Sequence, residues 1–112
     1  MKRIEAIISP DKVSELCAAL ATIGRDGVTI TAVEGRDSGQ GWVHHVRGAS
    51  FNDSARARSR VEVVVKDEDA ARTVRAIRDA AMTCGTGDGT IFIHDLADVI
   101  RIRTSESGVA AL

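Results

Sequence analysis

Four stretches of the chain read as strands and two as helices from the spacing of their apolar residues. Residues 2–8 (KRIEAII) place Ile4, Ala6 and Ile8 two apart, as a strand with one buried face requires. SPDK follows, in which Ser9 is a helix cap and Pro10 suits a first turn, where no N–H partner is needed. Val13, Leu16, Cys17, Leu20 and Ile23 recur at three- and four-residue spacing and predict an amphipathic helix, ended by Gly24 and Gly27. Residues 27–34 (GVTITAVE), rich in β-branched side chains, predict a second strand. Alternation returns at 58–66 (RSRVEVVVK), with Val61, Val63 and Val65 inward. Asp67 is placed to cap a second helix, Glu68 and Asp69 sit near its positive end, and Ala71, Val74, Ile77 and Ala81 mark its buried face. Residues 90–95 form the fourth strand, DVIRIRT adds a short extended piece, and SESGVAAL is a weakly apolar tail.

Between the second and third strands, residues 35–57 lose all periodicity. A run this long is unusual in a compact domain and reads as functional or disordered, so a flexible loop is expected at about 36–57. From Arg36 to Arg60 the chain holds five Arg and two Asp, a local excess of positive charge. The order is βαβ, long loop, βαβ. That describes an α+β fold, a ferredoxin-like split βαβ sandwich (βαββαβ), in one domain spanning 1–112 with a second loop at about 98–112. Two helices cover one face of such a sheet and leave the other bare, so self-association is expected.

Composition narrows the function. With 112 residues the chain fits one domain, and 3% aromatic content leaves the core to Val, Ile, Leu and Ala. Fifteen Lys+Arg against 16 Asp+Glu give a net charge of −1, which argues against a general nucleic-acid binder. Cys17 and Cys84 stand far apart with no metal-ligand spacing, as in a reduced cytoplasmic protein. MKRIEAIISPDK carries charges inside its first six residues and is no signal peptide, and no segment is long enough to insert in a bilayer. What remains to be explained is CGTGDG at 84–89, with three glycines in six residues immediately before a strand. A turn needs one or two. Three suggest close approach to the backbone, and phosphate is the usual reason.

MKRIEAII, GVTITAVEG, VRGAS, VEVVV, TCGTGDGTIF and RIRTSESG, in this order and spacing across almost the whole chain, resemble the PII signal-transduction family. The resemblance implies a homotrimer of ferredoxin-like subunits that binds adenine nucleotide in clefts between neighbours and signals through the long loop, as a sensor rather than an enzyme. It implies that Gly87, Asp88, Gly89 and Thr90 cradle phosphates, that Thr29 and Gly35, followed by Arg36, Asp37 and Ser38, form the opposite wall, and that Val64 reads the adenine. Arg101 and Arg103 would reach the phosphates of a neighbour's nucleotide with permanently charged forks.

The chain also departs from the family pattern. Thr90 stands where a lysine usually follows GDG, and Gly85 replaces another lysine. Two phosphate-neutralising cations are gone, which by Coulomb's law penalises the most highly charged ligand most and favours ADP or AMP over ATP. Gly39 replaces the glutamine that ligates magnesium beside 2-oxoglutarate, so no metal is required, and Arg58 replaces the lysine that pairs with the keto acid. Gly39, Gln40, Gly41 and Arg58 are left as a site for a small anion. Bicarbonate is the favoured version, because members of the family are associated with inorganic carbon metabolism and carboxysomes. Phe51 stands where nitrogen regulators carry a modifiable tyrosine, so nucleotidylation there is excluded. Trp42 and Phe51 would meet the regulated protein, an enzyme, a transporter or a carboxysome component.

Plainer readings compete with several of these. His44 and His45 read as solvated, His94 as a packed or edge histidine, and Cys17 as core; Cys84 reads as small filler beside the glycines. Arg56 and Arg60 are marked by charge alone. A CutA-like metal-binding trimer and a regulator of a transporter or efflux system are the alternative functions. No nucleophile, paired acids or Ser–His–Asp set stands at a defensible spacing for an enzyme.

Overall fold

The computed structural model describes residues 1–25, 27–36, 42–46, 49–53, 55–83, 85 and 87–112, with the backbone alone described at 42–46 and 49–53. Six strands and two α-helices follow in order: β1 (Lys2–Ile8), α1 (Val13–Thr22), β2 (Thr29–Arg36), β3 (Trp42–Val46), β4 (Ala49–Asp53), β5 (Ala55–Val65), α2 (Ala70–Ala81) and β6 (Thr90–Asp95). β2, β5, β1 and β6 make one four-stranded sheet in that spatial order, and every neighbouring pair is antiparallel. This is the expected α+β sandwich.

Alternation sorts the sheet into two faces. Ile4, Ala6 and Ile8 from β1 and Val61, Val63 and Val65 from β5 point to one side, where they bury against Leu16 and Leu20 of α1 and Ile77 and Ala81 of α2. Both helices therefore lie on that side. The other face is mixed, with Ile7, Val33, Val64 and Phe92 among its charges, and carries an ion-pair cluster around Glu5. Arg60 Nε stands 3.0 Å from Glu62 Oε1 and 3.9 Å from Glu5 Oε1, and His94 Nε2 lies 3.3 Å from Glu5 Oε2. His94 is thus an edge histidine with a carboxylate neighbour.

Four local expectations need correction. Residues 36–57 are not an aperiodic loop: β3 and β4 pair antiparallel there, Trp42 against Asp53 and His44 against Phe51, and β5 begins three residues early at Ala55. Trp42, Val43, Val46 and Phe51 are strand formers, and local pairing supplies the regularity that alternation does not advertise. Neither Ser9 nor Asp67 caps a helix with its side chain. Each stands at a 3-10 turn, Pro10–Lys12 or Asp67–Asp69, and the α-helices start only at Val13 and Ala70. That shift moves the buried stripe of α2: Ala71 is exposed and Thr73 is buried in its stead, its hydroxyl donating to the Asp69 carbonyl at 2.8 Å. Finally, DVIRIRT forms no strand beyond a bridge between Ile100 and Ser107. The end of α1 is as expected, with Gly24 at φ +77° and its N–H on the Ala21 carbonyl.

Asp67 has another partner. Its carboxylate accepts from the Met1 ammonium at 2.7 Å, and Lys2 bridges it to Asp95. The ammonium holds the Asp67 carboxyl below the usual carboxylate range, and the hydrogen bond to Asp95 raises the Lys2 ammonium above its own. A depressed acid contributes stability above its unfolded pKa and loses it as pH falls through the folded value; a raised base contributes below its unfolded pKa and loses it as pH rises through the folded value. All the charges of the cluster are therefore present together from about pH 5 to pH 7. Asp67→Asn is expected to lower Tm slightly at neutral pH, since the pair is exposed, and the gap should close in acid as the carboxyl takes up its proton. A gap that persists in acid would assign the loss to something other than the ion pair.

Candidate ligand cleft

β2 and β5 run antiparallel with Gly35 opposite Arg56 and Val33 opposite Arg58, so both arginines stand on the face away from the helices. Across the sheet, β1 meets β6 with Ile7 opposite Thr90, which brings the glycine loop after α2 up to the same end of the sheet. Between these ends lies a cleft of about 200 Å³. Gly35, Arg36, Arg56 and Arg58 line one side, and Gly87, Gly89, Thr90 and Ile7 the other. None of these eight residues is acidic.

Arg58 crosses between the walls. A Cβ at Gly35 would stand 3.1 Å from its Cγ, and one at Gly87 would stand 3.3 Å from a guanidinium nitrogen. The described residues give that guanidinium no hydrogen-bond or ion-pair partner. Arg36, by contrast, is 3.3 Å from Glu34. The glycines thus also meet a need inside the chain. Gly35 and Gly87 make room for an arginine. Gly89, at φ +113°, makes room for the Ile7 carbonyl, which a Cβ would overlap outright.

Asp88 does not face the cleft as an acid. Its Oδ1 accepts from the Thr83 backbone N–H at 3.0 Å and from the Thr83 hydroxyl, closing the loop across its mouth. On the helix side of that loop a second cavity of about 210 Å³ is lined by Ile8, Ala81, Met82 and Ile91 with Arg78, Asp88, Gly89 and Thr90. With one cation and one carboxylate among mostly apolar walls, it is a poorer place for an anion than the three-arginine cleft.

Of the residues expected at the site, the cleft unites Gly35, Arg36, Arg58, Gly87, Gly89 and Thr90. Thr29 and Val64 lie elsewhere on the same open face, opposite Glu62 and Arg3. Val64 is six residues along β5 from Arg58, roughly 20 Å at strand spacing. Arg101 and Arg103 belong to the segment after β6. Arg101 turns to its own chain, donating from Nε to the Ala111 carbonyl at 2.9 Å, while Arg103 is exposed. Asp37, Ser38, Gly39, Gln40, Gly41 and Cys84 lie outside the described residues, as do the side chains of Trp42 and Phe51. Sequence reasoning passed over Arg56. The signal was available: two arginines two apart in a strand share a face.

Relatives point the same way as this geometry. A family model described as "Nitrogen regulatory protein P-II" matches residues 1–106. The chain is 43% identical to a nitrogen regulatory protein P-II of Rhizobium meliloti over 112 residues, covering all of both chains. It is 41% identical to nitrogen regulatory protein P-II 2 of Methanothermobacter thermautotrophicus, over all of this chain and 97% of the relative. Among solved structures, Arabidopsis thaliana PII bound to citrate superposes with a TM-score of 0.80 at 33% identity, over 98% of this chain and 87% of that one. No helix among the described residues is long and apolar enough to cross a membrane. The sandwich, the glycine loop and the whole-length matches agree: the chain belongs to the P-II family of nitrogen regulatory proteins, which are signal-transducing sensors and not enzymes.

Proposed function

We propose that the protein is a homotrimeric sensor that binds adenine nucleotide, ADP or AMP in preference to ATP, with a small anion such as bicarbonate as second ligand. The observation that carries this reading is the Arg58 guanidinium, without a described partner, set between Gly35 and Gly87 in a cleft with no acid among its described lining residues. A buried or half-buried cation is normally paired, and an anion from solution supplies the pair here. At about 200 Å³ the cleft of one chain is smaller than the 300–1,000 Å³ usual for ligand pockets. It accommodates part of a nucleotide and calls for a neighbouring subunit to complete the site. Arg103, exposed and unengaged among the described residues, and the neighbouring copy's C-terminal segment are suited to that role. That the Arabidopsis PII neighbour binds citrate supports a small oxyanion as a ligand of this fold. Family membership displaces the CutA-like metal-binding alternative.

Trp42 and Phe51, in register positions of the β3–β4 hairpin, would present the surface that a regulated enzyme, transporter or carboxysome component reads. Asp37 and Ser38 would follow the phosphates and Gly39, Gln40 and Gly41 the second anion, as the family resemblance implies.

Calorimetric titration of ADP, with and without bicarbonate, tests the reading, with light scattering to count subunits. ADP should bind a trimer, and bicarbonate should tighten it; linkage then requires ADP to tighten bicarbonate equally. Binding of ADP without a bicarbonate effect would retire bicarbonate alone. Absence of ADP binding would overturn the nucleotide reading itself.

A further inference from the structure

We infer that Ile102 of one copy plugs the apolar cavity behind the glycine loop of a second copy, so that the segment after β6 straddles its neighbour's loop. The inference rests on the homotrimer reading and names a contact that closes the ring.

Two features of the chain fit one another. The first is the cavity on the helix side of the loop, about 210 Å³, walled by Ile8, Ala81, Met82 and Ile91. An apolar cavity of about 150 Å³ holds a benzene-sized group, so this one has room for a branched aliphatic side chain. Met82 is 43% exposed, which leaves an apolar wall open to solvent. The second feature is Ile102, which is 100% exposed, with Ile100 and Val109 of the same segment more than half exposed. One bare isoleucine is ordinary; three large aliphatics on one folded segment make a patch that a partner covers.

That segment is tied down. Arg101 donates from Nε to the Ala111 carbonyl and from its backbone N–H to the Glu106 carbonyl, while Asp98 accepts from the N–H groups of Val99 and Gly108. Ile102 is thus offered on a fixed turn, which lowers the ordering cost of docking. It does not fill its own chain's cavity, because its side chain touches nothing in its own chain. A plug and a socket at different places on one chain make a heterologous contact, which repeats head to tail and closes as a ring. The charges agree. Arg78 on the cavity has no partner among the described residues, and the Ile102 turn carries Glu106 four residues on. Gly89 and Thr90 line both the cavity and the cleft, so Ile102 on the helix side of the loop sets the adjacent Arg103 beside the cleft.

Disulfide trapping in the full chain tests the contact, with Cys17→Ser and Cys84→Ser removing the native thiols. Met82→Cys combined with Ile102→Cys should give a covalent trimer on oxidation. Ile102→Cys combined with Ser14→Cys, which is exposed on α1, should not. Thermal melts check that each variant folds. Ile102→Asp, changed where its own chain makes no contact, should stay folded and raise the concentration at which the trimer dissociates by at least about tenfold, read by light scattering. Ile102→Leu should restore most of the loss. A folded trimer that cannot be trapped through positions 82 and 102 overturns the plug and leaves the trimer standing. So does Ile102→Asp that associates as tightly as the parent. A monomeric parent overturns both. No ligand is needed, so the result is independent of whether ADP binds.

Discussion

Gly89→Ala is expected to destabilise the fold by at least about 3 kcal/mol and to abolish ligand binding with it. At φ +113° the backbone lies in territory that costs any other residue about 1–3 kcal/mol before contacts are considered. Contacts then make it worse. The added Cβ would overlap the Ile7 carbonyl oxygen, approach its carbonyl carbon to 3.0 Å and meet Ile8 Cα at 3.3 Å. Ile7 cannot retreat, because β1 is an inner strand paired with β5 on one side and β6 on the other. The strain must be relieved by displacing the start of β6, and that moves Thr90 and Gly87 out of the cleft. Gly24→Ala is the control: it also has positive φ, but open space surrounds it, so about 1 kcal/mol is expected. Urea denaturation of both variants measures the difference. Equal losses at the two sites would mean that the Ile7 contact carries no weight.

The sheet and both helices were legible because burial is periodic there. Ile4, Ala6 and Ile8 repeat at two residues; Leu16 and Leu20 are four apart in α1, as are Thr73, Ile77 and Ala81 in α2. Each repeat reports one face against one core. The same rule placed Ala71 inside and missed Thr73, because a threonine whose hydroxyl is satisfied by the Asp69 carbonyl can be buried like a valine. The hairpin was missed for the opposite reason. Its strands pair with each other, and a two-stranded ribbon needs no run of alternating apolar residues against a core.

At the site, the residue types were legible but their tasks were not. CGTGDG does mark a place where side chains would be in the way, yet the obstructed partners are Arg58 and the Ile7 carbonyl, not only a ligand. A close approach from within the chain and one from outside leave the same glycines in a sequence. Asp88 was likewise visible as the acid of the loop, and only its bonds to Thr83 assign it to holding the turn. Arg56 needed the register of β5 against Gly35 before its charge acquired an address.

Ile77→Ala should remove about 2–5 kcal/mol, a large share of what a domain of this size possesses. Ile77 is fully buried at the centre of α2, packed into a core of Ile, Val, Leu and Ala with no aromatic ring among its buried members. Branched aliphatic side chains held by sheet and helix on both sides do not collapse easily into the space of three missing carbons. The cost therefore falls toward the upper part of the range. Because α2 leads through Met82 and Thr83 into the glycine loop, the same substitution should also loosen the loop and weaken anion binding, even where the protein remains folded. Ile77→Val, which removes one carbon, separates the two effects: about 0.5–1.5 kcal/mol of stability should go while binding is kept. If Ile77→Ala lowers stability as expected but a folded sample binds the anion as tightly as the parent, the loop is held by the Thr83–Asp88 bonds and Gly89 alone. α2 would then serve the core and not the site.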